Sequence, residues 1–375
     1  MRVALIHHWL VRMRGGEKTL EAIAEIYPDA DLFTLACDPA KLSEPLRRRR
    51  IQTTWLGRLP WAHRLYPGLL PLHPAAYGAL DLSGYDLVIT VDAALAKTVR
   101  PAPGATHVCY CLTPSRLLWD MPDLDLARIA APARPLARAM IPRLRRLDRE
   151  AADRVHHFIA ISEHVRERVR RNYGRDAAVV YPHTETFDPA PPGSPGEGYL
   201  WVGYLTPYKR ADLAVEAFTR IGRPLTVIGD GPERRRLERK AGPNVRFLGA
   251  PDDETVRAHL RSCRALIFPG EEDFGIVPVE AQMAGRPVIA YGRGGARETV
   301  VDGVTGLFFD RPDAESLADA VLRFEGTAGG FSPVAIRRNA LRFTRERFQS
   351  AFAAAVARCS PRRHEGTKGH EETKE

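Results

Sequence analysis

The sequence predicts an α/β protein of two doubly wound, parallel-sheet domains facing a central cleft. Three observations carry this. Short apolar runs of strand length recur along the chain, with helical stretches between them. They fall into two series, in residues 1–183 and 199–341. Between the series, residues 184–198 are rich in Pro and Gly and hold little periodicity, as an interdomain linker does.

In the first series, RVALIH (2–7) reads as a strand, followed by a loop and an amphipathic helix from near Glu17. YDLVITVD (85–92), HVCYCL (107–112), HHFIAIS (156–162) and VVYP (179–182) continue it. Near-continuous apolar runs suit parallel strands buried on both faces. The second series is YLWVGYL (199–205), LTVIGDG (225–231), VRFLG (245–249), RALIFPG (264–270) and PVIAYG (287–292). Two such β/α series predict two doubly wound units. RFTRERFQSAFAAAVARC (342–359) predicts a terminal helix that packs back on the first domain, and the polar tail 360–375 is expected to be disordered.

Composition sets the broad class. At 375 residues the chain suits two domains, and 44% hydrophobic with 27% charged residues is ordinary for a soluble globular protein. No run reaches the ~18–20 apolar residues of a membrane span. The N-terminal MRVALIHHWL is too short and too broken by His for a signal peptide. Five Cys, an odd number without CxxC spacing, point to a reducing cytoplasm and no zinc site. The net charge of +9 comes from Arg and reads either as compositional bias or as a surface that meets anionic lipid or phosphate. RRRR (47–50) reads as a solvated charge run. Residues 127–149, Arg mixed with Leu, Ile and Met, form either an ordinary surface helix or a segment lying on an anionic membrane. No helix-turn-helix, RNP or zinc-finger pattern accompanies the charge, so nucleic acid is not an expected partner.

The chemistry begins at RMRGGEKTLEAIAE (12–25). Lys-Thr after Gly resembles a P-loop, but Glu17 separates Gly16 from Lys18 and no Gly stands five residues earlier. What remains is a Gly pair, Gly15 and Gly16, at a helix N-terminus. Such a turn admits an anion, or it is a plain turn. A stronger signal is EEDFGIVPVE (271–280), where seven residues separate Glu272 from Glu280. The next helix is expected near Ile276 or Val277, with Pro278 tolerated in its first turn. Glu272 then lies in the loop after a strand and Glu280 one turn into the helix. Two carboxylates beside a helix N-terminus suit a ligand with both hydroxyls and phosphates. A metal or acid/base pair is the competing idea.

EDFGIVPVE resembles the Glu-x7-Glu motif of the retaining glycosyltransferases often called family 4, which have the GT-B fold. The stretches VGYLTPYKRADLAVEAF (202–218), VIGDGPERRRL (227–237) and VRFLG resemble that family too. MRGGEKTLEAIAEIYPDADLFTL and CYCLTPSRLLWD (109–120) are similar to its bacterial O-antigen and exopolysaccharide mannosyltransferases. The likeness runs through nearly the whole chain except the tail.

The resemblance implies roles. Glu272 would contact donor-sugar hydroxyls and Glu280 the ribose. Asp273 and the backbone at Phe274, Gly275 and Ile276 would face sugar and diphosphate. Lys209 would neutralise the leaving diphosphate, and Gly15 and Gly16 would close on it from the first domain. Gly203 and Tyr204 would border the donor, and backbone around Phe247, Leu248 and Gly249 would read the base. Two departures stand out. Many members carry Arg where Tyr204 stands, and Arg210 is the expected substitute. Many also carry a sugar-contacting His where Leu112 stands. His7 at the end of the first strand, and Thr113, Arg116 and Asp120 after another, are cleft or acceptor candidates; the alternatives are a core or surface role for His7 and loop braces for Arg116 and Asp120.

The resulting expectation is a retaining, metal-independent hexosyltransferase without a cofactor. It would move mannose from GDP-mannose to a lipid-linked saccharide at the cytoplasmic membrane face. A nucleotide-sugar epimerase or hydrolase, or a non-catalytic nucleotide-sugar-binding subunit, are the rivals.

Overall fold

A computed structural model describes residues 1–121, 134–190, 196–327 and 330–359. The tail 360–375, and residues 127–133 of the basic stretch, lie outside the described residues. Among the described residues, the first sheet has seven strands in the order β3 (Ile51–Thr53), β2 (Asp31–Thr34), β1 (Val3–His7), β4 (Leu87–Asp92), β5 (Thr106–Cys111), β6 (His157–Ala160), β7 (Ala177–Val179). The second has six, in the order β10 (Val245–Gly249), β9 (Leu225–Ile228), β8 (Tyr199–Val202), β11 (Ala265–Phe268), β12 (Val288–Tyr291), β13 (Gly306–Phe309). Every pairing between these strands is parallel. The fold is therefore doubly wound twice over.

Strand order reverses at β1/β4 in one sheet and at β8/β11 in the other. Such switch points open a crevice at the carboxyl ends of the strands, where doubly wound folds bind ligands. Gly15 and Gly16 follow β1, Lys209 follows β8, and Glu272 to Ile276 follow β11, so the topology gathers the motifs at these two points.

Three strands lacked a sequence signal. β3 is a half-buried edge strand of sequence IQT, β2 (DLFT) holds one short apolar pair, and β13 (GLFF) opens on Gly. The strand expected at VVYP (179–182) begins two residues earlier, as Ala177–Val179.

The helix Arg345–Cys359 lies against the first domain. Phe348 and Phe352 pack their rings 5.8 and 5.5 Å from that of Tyr110 on β5. Arg345 adds ion pairs to Glu21 at 3.1 Å and Glu25 at 2.9 Å on the first helix, Gly15–Ile26. Cys109 and Cys111 are buried in the same core as small apolar groups.

The helix Arg134–Arg154 turns its apolar residues inward from Ile141 onward. Leu144 packs with Leu95 and Leu118. Asp148 accepts hydrogen bonds from Trp119 Nε1 at 2.7 Å and Tyr173 Oη at 2.8 Å, and pairs with Lys97 at 2.5 Å. A fully buried carboxylate with those partners ties this helix to the domain.

Candidate active site in the interdomain cleft

At the β8/β11 switch point, Lys209 Nζ donates to both Glu272 carboxylate oxygens, at 2.7 and 2.8 Å. Burial pulls the Lys209 pKa down, but the Glu272 carboxylate outweighs it and the net shift is upward. The ammonium therefore stays charged in a largely buried place. Gly203 makes the room: a Cβ there would sit 3.2 Å from Lys209 Cδ.

The loop after Glu272 delivers the next helix, Ile276–Met283, with Gly275 as its N-cap at φ +94°. That left-handed turn favours Gly and aims the helix N-terminus at the cleft. Phe274 points its side chain away, into the core beside Tyr181 and Phe343. Across the cleft, Gly15 opens the first helix directly against Ile276, and a Cβ on Gly15 would lie 2.5 Å from Ile276 Cδ1. Gly16 is as tightly placed, since its Cβ would meet Leu112 Cδ1 at 2.9 Å. Leu112 thus packs beneath the glycine turn.

Glu280 is half-buried one turn into its helix. Burial raises its pKa, with Lys18 pulling the other way from the opposite domain. Lys18 Nζ reaches Asp253 at 3.5 Å. The Lys that imitated a P-loop thus spans the cleft beside the ribose candidate.

Several expectations change on contact with the structure. Asp273, expected to face the donor, gives both carboxylate oxygens to the other domain. Arg116 donates to it at 2.7 and 3.0 Å, and Arg168 donates to its other oxygen. These two arginines hold its pKa below the usual carboxylate range although burial opposes them. Arg168 also donates to Thr113 Oγ1 at 2.5 Å and to Asp120, which takes Arg171 at 3.0 Å as well. Arg116 therefore reaches across to the second domain, while Thr113 and Asp120 hold Arg168 in place within the first. Arg210, expected as the second diphosphate cation, sits at φ +53° with its guanidinium on Asp212 at 3.1 Å. His7 does not line the cleft: it is fully buried beneath Gly16, 3.6 Å from Glu17. Its neighbour imposes this, because Glu17 also accepts from Arg14 N at 3.0 Å and so pins the glycine turn from below.

Sequence reasoning found no metal cluster. The fold brings His7, His8 and Glu17 close, with ligand atoms within 4.8 Å of one another. Glu17 is engaged by His7 and Arg14, and His8 Nδ1 lies 3.3 Å from Val91 O. Burial pushes the His8 pKa down to about 3, leaving that ring neutral.

Other residues escaped the sequence reading. Arg14 lies over the Tyr204 ring at 4.6 Å and Arg12 at 5.8 Å, bringing two guanidinium groups to the place where an Arg was missing. Their signal was their position, flanking the Gly pair in RMRGG. Ser162 caps the helix Glu163–Tyr173 by accepting from Val165 N, and donates to Asp273 O at 2.5 Å. Glu298 of the second domain accepts from the first two N–H groups of that helix at 2.8 and 3.0 Å. No local pattern marks such pairs, which join residues more than 100 positions apart. Phe247, Leu248 and Gly249 lie on β10, where the register shifts and Gly249 takes φ +72°.

Residues 188–328 match the family model described as glycosyl transferases group 1. A phosphatidyl-myo-inositol mannosyltransferase of Mycobacterium leprae is 33% identical over 173 residues, covering 44% of this chain and 42% of that protein. A GDP-mannose-dependent alpha-(1-6)-phosphatidylinositol monomannoside mannosyltransferase of Mycobacterium tuberculosis is 29% identical over 235 residues, covering 52% of this chain and 61% of that one. The match thus spans about half the length of these curated relatives. Among solved structures, Alr3699/HepE of Anabaena, in complex with UDP, superimposes with a TM-score of 0.69 at 18% identity, covering 96% of this chain and 100% of that one. That likeness is one of fold, the two-domain GT-B arrangement of glycosyltransferases.

Proposed function

We propose that this protein transfers a hexosyl group from a nucleoside-diphosphate sugar, with retention of anomeric configuration. The observation that carries the reading is the Lys209–Glu272 pair, set between Gly203 and the helix N-terminus at Gly275, with Gly15 of the first domain against Ile276. Cleaving the anomeric C–O bond leaves negative charge on the departing diphosphate. Lys209 and the N-terminus at Ile276 supply positive potential where that charge grows, in a cleft that excludes water. Arg14 and Arg12, stacked on Tyr204, add the cations that the sequence lacked there. These fixed charges are the basis for proposing a reaction that needs neither metal nor cofactor.

Glu272 accepts from sugar hydroxyls while Lys209 holds it in place, and Glu280 accepts from the ribose. The acceptor hydroxyl attacks from the face of the leaving group, and the departing phosphate oxygen takes its proton. GDP-mannose is the proposed donor, supported by the mannosyltransferase likeness and by the motifs in residues 109–120. The proposed acceptor is a lipid-linked saccharide at the cytoplasmic face of the membrane, in cell-surface polysaccharide synthesis. No helix among the described residues is long and apolar enough to cross a membrane, so access to such an acceptor is proposed to be peripheral.

The test is turnover of labelled GDP-mannose and UDP-glucose with a polyprenyl-linked saccharide, with and without chelator. Mannose transfer that persists in chelator supports the reading. Binding without turnover on any acceptor would favour a non-catalytic nucleotide-sugar-binding subunit.

A further inference from the structure

We propose that the segment from Trp55 to Leu72 seats this protein on an anionic lipid bilayer, beside the cleft. The segment is a series of short turns, Leu56–Arg58, Ala62–Leu65 and Tyr66–Leu72, following the edge strand β3. Large apolar side chains stand out from it: Trp55 is 43% exposed, Leu59 45%, Trp61 66%, Leu65 53% and Leu72 43%. Lone exposed apolar residues are ordinary, but a cluster marks a contact surface. The backbone itself holds one of them out. Trp61 has φ +56°, a left-handed conformation that bulky residues avoid, yet its ring gains no core packing in return.

The charge identifies the partner. From Arg47 to Leu80 the chain has six Arg and no Asp or Glu. Arg49 turns inward onto the carbonyls of Ala24, Tyr27 and Pro28. Arg47, Arg50, Arg58 and Arg64 remain exposed. Trp, Leu and Arg without carboxylates suit the headgroup level of a bilayer. Trp sits at the interface, Leu enters the acyl boundary, and Arg meets lipid phosphate. The helix Arg134–Arg154 fits this task less well, because its buried face is spent on the domain core.

The surface also adjoins the site. Tyr66 packs on Trp9 at 4.6 Å, Trp9 on His8 at 4.4 Å, and His8 on His7 at 4.0 Å, beneath Gly16. A saccharide carried on a membrane lipid would thus be held near the glycine turn. This deepens the proposed membrane-face acceptor and rests on it, but the surface can be tested without donor or acceptor.

The experiment is co-sedimentation of the full chain with vesicles of phosphatidylcholine, with and without phosphatidylglycerol. The parent should bind the anionic vesicles, with a blue shift of Trp emission. Binding should fall at least tenfold in the double variant Trp55→Ser/Trp61→Ser. It should fall comparably in Arg58→Gln/Arg64→Gln, whose exposed side chains keep folding out of the result. Transfer to a water-soluble acceptor should be unchanged in both. Parent-like vesicle binding by either folded variant would overturn the proposal. So would failure of the parent to bind anionic vesicles, or a self-associated parent that Trp61→Ser renders monomeric. If the parent binds vesicles as expected but transfers no sugar, the catalytic reading fails and the surface stands.

Discussion

Gly15 and Ile276 touch across the cleft, and a Cβ on Gly15 would come within 2.5 Å of Ile276 Cδ1. Each residue opens a helix in its own domain, so the pair sets how closely two helix N-termini approach. The close approach is consequently sensitive to side-chain bulk at Gly15 beyond what the flexible end of Ile276 can yield to.

Gly15→Ala meets only the far end of a flexible side chain, and its effect on kcat/KM should be small. Gly15→Val should lower kcat/KM by about 100-fold, because misplacement of about 1 Å costs that much in positioned catalysis. The double variant Gly15→Val/Ile276→Ala should recover part of the loss. Steady-state kinetics of the three variants check this; parent-like kinetics for Gly15→Val would reduce the pair to a plain turn.

Lys209→Ala should reduce kcat by about 10²–10³-fold, the usual cost of losing one group that stabilises developing negative charge. Arg14→Ala should lower kcat by a smaller factor without shifting the melting temperature, since Arg14 lies over Tyr204 rather than in a core. An unchanged rate in Arg14→Ala would remove it from the diphosphate site.

Asp273→Ala should destabilise the fold by about 3–5 kcal/mol, the cost of stranding a buried partner charge. It leaves Arg116 without its carboxylate and Arg168 with Asp120 alone. The pH dependence has a defined sign. The pKa of Asp273 is lowered in the fold, so its stabilisation is present above the unfolded value of about 3.9 and is lost as pH falls through the folded value. Urea titrations between neutral and acid pH, compared with Asp273→Asn, measure this. An acid limb of equal size in the variant would assign it to other groups.

Glu280 has the opposite sign. Its pKa is raised by burial, so its contribution to stability is present below the ordinary glutamate value of 4.5 and is lost as pH rises through the folded value. Ribose recognition needs the carboxylate as acceptor. Nucleoside diphosphate should therefore bind more tightly as pH rises through the raised pKa, and Glu280→Gln should flatten that limb. Calorimetric Kd values for GDP across this range supply the check.

The sequence made the doubly wound architecture legible because buried parallel strands write themselves as apolar runs, and Glu272 to Glu280 because strand, loop and helix positions are fixed by local spacing. The interdomain half of the site was not legible. Arg116 and Arg168 meet Asp273 across more than 100 residues, and only the packing of the two sheets brings them together. Asp273 therefore read as a donor contact when it is the domains' shared anchor. His7 misled in a related way: the end of a strand predicts the cleft, but Gly16 and Glu17 at the start of the next helix cover it. β3 and β13 were missed because edge strands need no continuous apolar run.

The most direct test of the central claim is GDP release from GDP-mannose in the presence of a polyprenyl-linked saccharide, comparing the parent with Glu272→Ala of verified fold. The account predicts acceptor-dependent release with product of retained configuration in the parent, and loss of at least 100-fold in the variant. Acceptor-dependent turnover at the parent's rate in Glu272→Ala would contradict it.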